Sequence, residues 1–190
     1  LAQSHFAVAQ AAANAGQDEL ALKEIREAAR LQPDWELAVL YEASLLQKTS
    51  NAAAADRLAG YLKSHPKSRE VRLAYARTLV ADKKFPEARG QFEQLLKDHP
   101  GSTDVVFAVA VLSMQLEDWP VAETNLKRLL DLGYRDRNAV RFYLGQVAEE
   151  QKHFPEALKW YSEITRGEQF MPAQIRSAQV ISKQGDLDGA

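Results

Sequence analysis

Apolar residues recur at three- and four-residue spacing in one segment after another. Phe92, Leu95 and Leu96 show it in one, and Leu126, Leu129 and Leu130 in another. This is the period of a helix with one buried face. No stretch alternates apolar and polar residues for long enough to make a strand. The pattern predicts helices over about 2–15, 18–31, 34–48, 51–64, 69–82, 85–98, 102–116, 119–131, 137–151, 154–166 and 172–183. Short polar clusters separate them in pairs: Ala15-Gly16-Gln17-Asp18, Thr49-Ser50-Asn51, Ala81-Asp82-Lys83-Lys84, Leu116-Glu117-Asp118, Gln151-Lys152-His153 and Gln184-Gly185-Asp186. Three second helices open alike, on Phe85-Pro86, Trp119-Pro120 and Phe154-Pro155, where proline loses nothing in the first turn. Pro33, Pro66 and Pro100 close second helices.

Small residues keep two registers through this pattern. The first holds Ala9, Ala43, Ala76, Ala110, Gly145 and Ala178, and the second Ala21, Ala54, Ala88, Ala122, Ala157 and Ala190, with successive members 33 to 35 residues apart. A fixed period of that size marks a repeat array. Two antiparallel helices joined by a short turn approach closely only where side chains are small. Ile25, Leu58, Phe92, Leu126 and Tyr161 follow the second register at near-constant distance and fill the groove against the next pair. The fold class is all-α, as one array of about five and a half helix pairs: 2–34, 35–67, 68–101, 102–136, 137–170 and a partial unit 171–190. Ending at Ala190, where a second helix would begin, the chain reads as an excerpt of a longer array.

Leu144-Gly145 followed by Ala157-Leu158-Lys159-Trp160-Tyr161, and Tyr75-Ala76 followed by Ala88, Phe92 and Pro100, resemble the tetratricopeptide repeat. The resemblance extends over essentially the whole chain and implies a right-handed α-solenoid whose first helices line a concave, protein-binding surface. The second unit departs from it, being one residue short in its Lys48–Ala52 turn. The fourth and fifth units replace the closing proline by Leu132-Gly133-Tyr134 and Gly167-Glu168-Gln169.

On that surface the resemblance places an apolar ladder three residues before the first small register: Phe6, Leu40, Leu73, Phe107, Phe142 and Ile175. Beside it, one residue after the register, lie Gln10, Ser44, Arg77, Val111, Gln146 and Gln179. With Tyr41 and Tyr143, the members from the first five units (Phe6, Gln10, Leu40, Ser44, Leu73, Arg77, Phe107, Val111, Phe142 and Gln146) make the candidate groove. Such a groove suits an extended segment or amphipathic helix bringing apolar anchors. The alternative is that the ladder packs internally. The chaperone-binding members' clamp for an acidic C-terminus would need Lys, Asn or Arg where this chain has Phe6, Gln10, Tyr41, Glu70 and Ala74, so that role is rejected.

Composition narrows the chemistry. A net charge of −2 argues against nucleic acid, which needs a clustered basic surface. No apolar run approaches the roughly 20 residues of a membrane span. The absence of cysteine removes disulfides, thiol catalysis and cysteinyl zinc. The histidines sit at separate registers, with His65 and His99 one repeat apart, and no metal or cofactor is expected. Ser64-His65-Pro66-Lys67 matches a Ser-x-x-Lys nucleophile motif by chance, because it falls on a repeat-joining turn. Glu149 and Glu150, ending an inner helix, read as solvated. Lys67, Arg69 and Arg72, and again Arg135, Arg137 and Arg141, make two joints locally basic: a solvated rim by default, a docking surface for an acidic partner otherwise.

The function read from this is a non-catalytic scaffold that binds a protein or peptide segment. The Ala-rich, cysteine-free helices resemble exported proteobacterial tetratricopeptide proteins, which implies a periplasmic or outer-membrane-anchored location and a part in envelope assembly or in delivering substrates to a protease. The other class is a substrate-recruiting or regulatory segment of a larger enzyme, such as a glycosyltransferase or peptidase. Self-association through uncapped ends is a third reading.

Overall fold

The computed structural model describes residues 1–188, with side chains through residue 185. Among the described residues there are eleven helices and no strand. They are α1 (Ala2–Asn14), α2 (Asp18–Leu31), α3 (Glu36–Gln47), α4 (Asn51–Ser64), α5 (Arg69–Ala81), α6 (Phe85–Asp98), α7 (Thr103–Gln115), α8 (Trp119–Asp131), α9 (Arg137–Glu150), α10 (Phe154–Ser162) and α11 (Phe170–Asp188). They fall into two compact units, Leu1–Leu95 and Leu96–Ala190.

In the first unit α1 pairs with α2 and α3 with α4, while α2 packs on α3 and α4 on α5. The waists of the hairpins are the small registers. Ala9, Ala43 and Ala76, with Ala21, Ala54 and Ala88, are all buried, as are the groove-filling Ile25, Leu58 and Phe92. In the second unit α7 pairs with α8 and α9 with α10, α8 packs on α9, and α10 on α11. Ala110, Ala122, Ala157, Leu126 and Tyr161 are buried there in the same way.

Four of the hairpin turns share one backbone solution. Gly16, Lys83, Glu117 and Lys152 take positive φ between 57° and 74°. The residue after each donates its N–H back into the helix just left: Gln17 to the Ala12 carbonyl, Lys84 to Leu79, Asp118 to Ser113 and His153 to Ala148, at 2.8–2.9 Å. These bonds satisfy carbonyls that the helix end would otherwise leave open. The α3–α4 turn, one residue shorter, has no positive-φ residue. Ser50 donates its N–H to Leu46 at 2.8 Å instead, and its hydroxyl accepts from the Ala53 N–H at 3.1 Å as an N-cap.

Gly145 is the one non-alanine waist in the described first register, and the reason lies across the hairpin. A methyl group built on it would lie 2.3–2.7 Å from the ring of Tyr161, which is fully buried. The phenol ring occupies the space that an alanine methyl takes in the other units.

The last two helices depart from the sequence pattern. The fifth unit's second helix was predicted to reach 166 but stops at Ser162, giving nine residues where α2, α4, α6 and α8 have 13 or 14. Residues 163–169 form a loop with Gly167 at φ 91°. α11 runs through Gln184-Gly185-Asp186, where a turn was predicted. A glycine inside a helix costs only about 1 kcal/mol relative to alanine, so Gly185 alone does not end one. Ala178, expected at a waist, is exposed, and Ile181 is 59% exposed. The matching residues of the other first helices (Ala9 with Ala12, Ala43 with Leu46, Ala76 with Leu79, Ala110 with Ser113, Gly145 with Ala148) are buried. Among its described side chains α11 buries only Ala173 and Val180, which belong to the cluster that includes Ala157 and Tyr161 of α10. Ala190 lies outside the described residues.

Candidate protein-binding surfaces

Helix periodicity carries three or four side chains of each first helix to one face, and there the predicted ladder meets the core. Phe6 is nearly buried, its ring 4.8 Å from Trp35 and 5.3 Å from Tyr41. Leu40 is half-buried against the cluster of Val39, Ala43 and Leu58, and Leu73 is half-buried. Phe107 stacks on Tyr134 at 5.4 Å and tilts against Tyr143 at 6.1 Å. Phe142 tilts against Tyr161 at 5.7 Å. Ile175 is 54% exposed. The rings of the ladder thus spend much of their surface on neighbouring helices, and what they leave accessible is their edges.

The neighbouring row is more open. Gln10 and Ser44 are exposed, the Ser44 hydroxyl donating to its own helix at the Tyr41 carbonyl, and Arg77 is exposed without a partner among the described residues. In the second unit this row reaches a depression of about 270 Å³. Val111, Tyr143 and Gln146 come together in it, joined by Met114, Gln115, Trp119, Glu150 and Arg176. Val111 is 37% exposed there. Apolar walls, two amides and a carboxylate at one mouth suit a side chain flanked by polypeptide backbone. Of the additional residues, Met114, Gln115 and Glu150 continue the helical spacing from Val111 and Gln146 by one turn. Trp119 is the aromatic before Pro120. Only Arg176 needs the unusual placement of α11 to be found.

Beneath that depression lies a buried carboxylate. Glu149, expected to be solvated, is 6% exposed. It accepts from the Tyr161 hydroxyl at 2.8 Å and from Arg176 through both oxygens, at 3.1 and 2.8 Å, with the Lys183 ammonium 3.9 Å away. The difference follows from the fold: α10 and α11 close over the end of α9 and bring three donors with them. Burial first of all pushes the Tyr161 phenol well above its ordinary value, so it serves as a neutral donor. Glu150, the next residue, is exposed as expected.

The first unit holds a counterpart. Glu42 on α3 is 5% exposed and accepts from Arg57 of α4 at 2.5 Å and from Arg26 of α2 at 3.2 Å. Nearby, His65 stacks on Tyr61 with ring centres 4.1 Å apart, its Nε2 lies 2.9 Å from Asp34 and its Nδ1 3.0 Å from the Ser64 hydroxyl. This Ser64–His65–Asp34 chain is a strut between repeats. Asp34 is 84% exposed at its side chain, and the Ser64 hydroxyl also reaches the Tyr61 carbonyl at the helix end, away from any enclosed reacting site. Among the described residues no three His, Cys, Asp or Glu side chains gather as a metal site, and no helix is long and apolar enough to cross a membrane.

Hairpins with alanine waists, a period of 33 to 35 residues and shared turn geometry define a helical-repeat protein. Tetratricopeptide-repeat family models match residues 45–112 and 107–172, together more than half of the chain, and the chain belongs to that family. It is 43% identical over 53 residues to the TPR repeat-containing protein PA4667 of Pseudomonas aeruginosa, a match spanning 28% of this chain and only 9% of that protein. Among solved structures it is similar to a tetratricopeptide repeat protein from Parabacteroides merdae, at TM-score 0.74 and 14% identity, covering 97% of this chain and 75% of the other. It is also similar to MamA from Desulfovibrio magneticus (TM-score 0.69, 15% identity, 86% and 92% covered) and to Pseudomonas aeruginosa pilF (TM-score 0.64, 18% identity, 97% and 86% covered). At these identities the structural likenesses establish the fold.

Proposed function

We propose that the chain is a non-catalytic scaffold and that its second unit grips an extended protein segment in the Val111–Tyr143–Gln146 depression. The observation that carries this is the meeting of apolar walls (Val111, Met114, Trp119, Tyr143) with Gln115, Gln146 and Glu150 in one mouth. An apolar side chain of the guest fills the depression, the amides pair with its backbone, and Glu150 favours a basic residue beside the anchor. The predicted groove residues of the first unit, Phe6, Gln10, Leu40, Tyr41, Ser44, Leu73 and Arg77, serve the same purpose on α1, α3 and α5. The setting we infer is a bacterial envelope complex, either in assembly or in presenting substrates to a protease, by similarity to the exported members of the family.

Val111→Glu tests the reading best, because that side chain is exposed and its loss leaves the core intact. Capture of a partner from the native organism, measured by pull-down with the full-length protein, should fall at least tenfold while the circular dichroism spectrum stays unchanged. Undiminished capture would remove the second-unit depression from the binding surface. Phe107→Ala and Phe142→Ala serve this purpose less well, because both rings pack against tyrosines of the core.

A further inference from the structure

The early stop of α10 leaves something besides a loop. Residues 163–169 and the α8–α9 joint together enclose a depression of about 630 Å³ on the edge of the second unit, lined by Arg135, Arg137, Arg141 and Arg166 with Asp136, Glu163 and Glu168. Its residues are separate from those of the Val111 depression. The rim is held in place: Asn138 donates to the Arg166 carbonyl at 3.0 Å, Arg141 to Glu163 at 3.2 Å, and Arg137 to the Leu130 carbonyl at 3.0 Å. Asp136 is occupied in capping α9 through the Ala139 N–H.

Two guanidinium groups remain unspoken for. Ten of the thirteen arginines contact a carboxylate, an amide or a carbonyl of this chain. Among the described residues Arg77, Arg135 and Arg166 have no partner, and Arg135 and Arg166 line this one depression. In a chain of net charge −2 that pairs its other arginines, an unpaired couple in a shaped cavity marks a place where charge is supplied from outside.

We propose that this edge cavity binds an acidic peptide segment, with guest carboxylates on Arg135 and Arg166. The choice among anions follows from the lining. Glu168 has no partner among the described residues and, with Asp136 and Glu163, would repel a guest charged at every unit, as a polyphosphate or a sulfated chain is. A peptide instead sets carboxylates at the two arginines and its own N–H groups toward Glu168, Thr165 and Gln169. The site is independent of the Val111 depression and stands or falls without it.

The experiment is fluorescence anisotropy of a short fluorescein-labelled Glu-rich peptide, its glutamates separated by Ser-Gly spacers so that charge is not continuous along it, titrated with the full 190-residue chain at low salt. The same peptide with every Glu replaced by Gln is the comparison. The double variant Arg135→Gln/Arg166→Gln should weaken the Glu-rich peptide about tenfold or more and bind no better than wild type binds the Gln peptide. Lys63→Gln, which removes an exposed cation of the other unit, should leave binding unchanged. Because both cavity arginines are exposed and bond to none of the described residues, the double variant should fold as wild type does, and circular dichroism verifies it. Equal binding of the two peptides, no binding of either, or equal binding by wild type and double variant would each overturn the proposal. Tight binding of a sulfated polysaccharide in place of the peptide would overturn it too, in favour of a polyanion site.

Discussion

Each unit buries one carboxylate, and the two are held in different ways. Glu42 lies between second helices: Arg57 of α4 and Arg26 of α2 approach it from two hairpins. Glu149 is held by Tyr161 of its own hairpin and by Arg176 of the helix beyond, with Lys183 more distant. The first unit therefore has two guanidinium groups sharing one load. In the second a single guanidinium does most of the work, and the same contact fastens α11, a helix that exposes Ala178 and Ile181. A buried ion pair stabilises little against an apolar replacement, yet breaking one is costly. The cost depends on what remains beside the abandoned charge.

The comparison is broken most severely by Arg176→Ala. Glu149 is then left with one hydroxyl and a distant ammonium, and the unit should lose about 3 kcal/mol, with early hydrogen exchange of α11. Arg57→Ala leaves Glu42 with Arg26 and should cost only about 1–2 kcal/mol. Urea melts of the two variants measure the difference, and equal losses would show that the hubs are interchangeable.

A smaller effect distinguishes the waists. Gly145→Ala drives a methyl into the Tyr161 ring and should destabilise by about 1–3 kcal/mol. A methyl of that kind is already accommodated at Ala76 in the first unit, where Ala76→Gly loses about 0.5–1 kcal/mol through helix flexibility alone. The same register thus responds with opposite preference in the two units, and thermal melts of the pair decide it.

The turns are more evenly matched. Lys83→Gly in the first unit and Lys152→Gly in the second relieve positive φ and should each stabilise by up to about 1 kcal/mol. Thr49→Gly, in the short turn without such a residue, should not stabilise.

The smallest effect is electrostatic. The hydrogen bond from Lys127, helped by Gln151, holds the Glu123 carboxyl below its ordinary value of 4.5. A carboxyl depressed on folding contributes stability above its unfolded value and loses it as pH falls through the folded one. Glu123→Gln should therefore cost a few tenths of a kcal/mol at neutral pH, and the cost should vanish once the pH is low enough to protonate the carboxyl in the folded protein. A penalty that persisted at low pH would mean the contact is not charge-dependent.

The hairpins and their waists are legible from sequence because a methyl-sized side chain every 33 to 35 residues has no competing explanation in a helical chain. The Gly145–Tyr161 fit is legible in principle, since the smallest waist and the only tyrosine among the groove-filling residues fall in one unit. The end of α10 is not. Nothing in Glu163-Ile164-Thr165-Arg166 forbids a helix, and it stops there because Arg141 and Asn138 hold the following loop. Buried glutamates are equally hidden, for Glu149 differs from its solvated neighbour through partners 12, 27 and 34 residues away. The ladder was visible as a row, but its rings turn out to lean on Trp35, Tyr134 and Tyr161, contacts that cross helices.

The ring of Tyr161 seated where a methyl would otherwise be has a bearing on recombination. A chimera that borrowed α9 alone would carry a hole at its waist, and one that borrowed α10 alone would carry a collision. The two helices of that hairpin can travel between arrays only together, so it behaves as a single heritable module, while its alanine-waisted neighbours can trade halves.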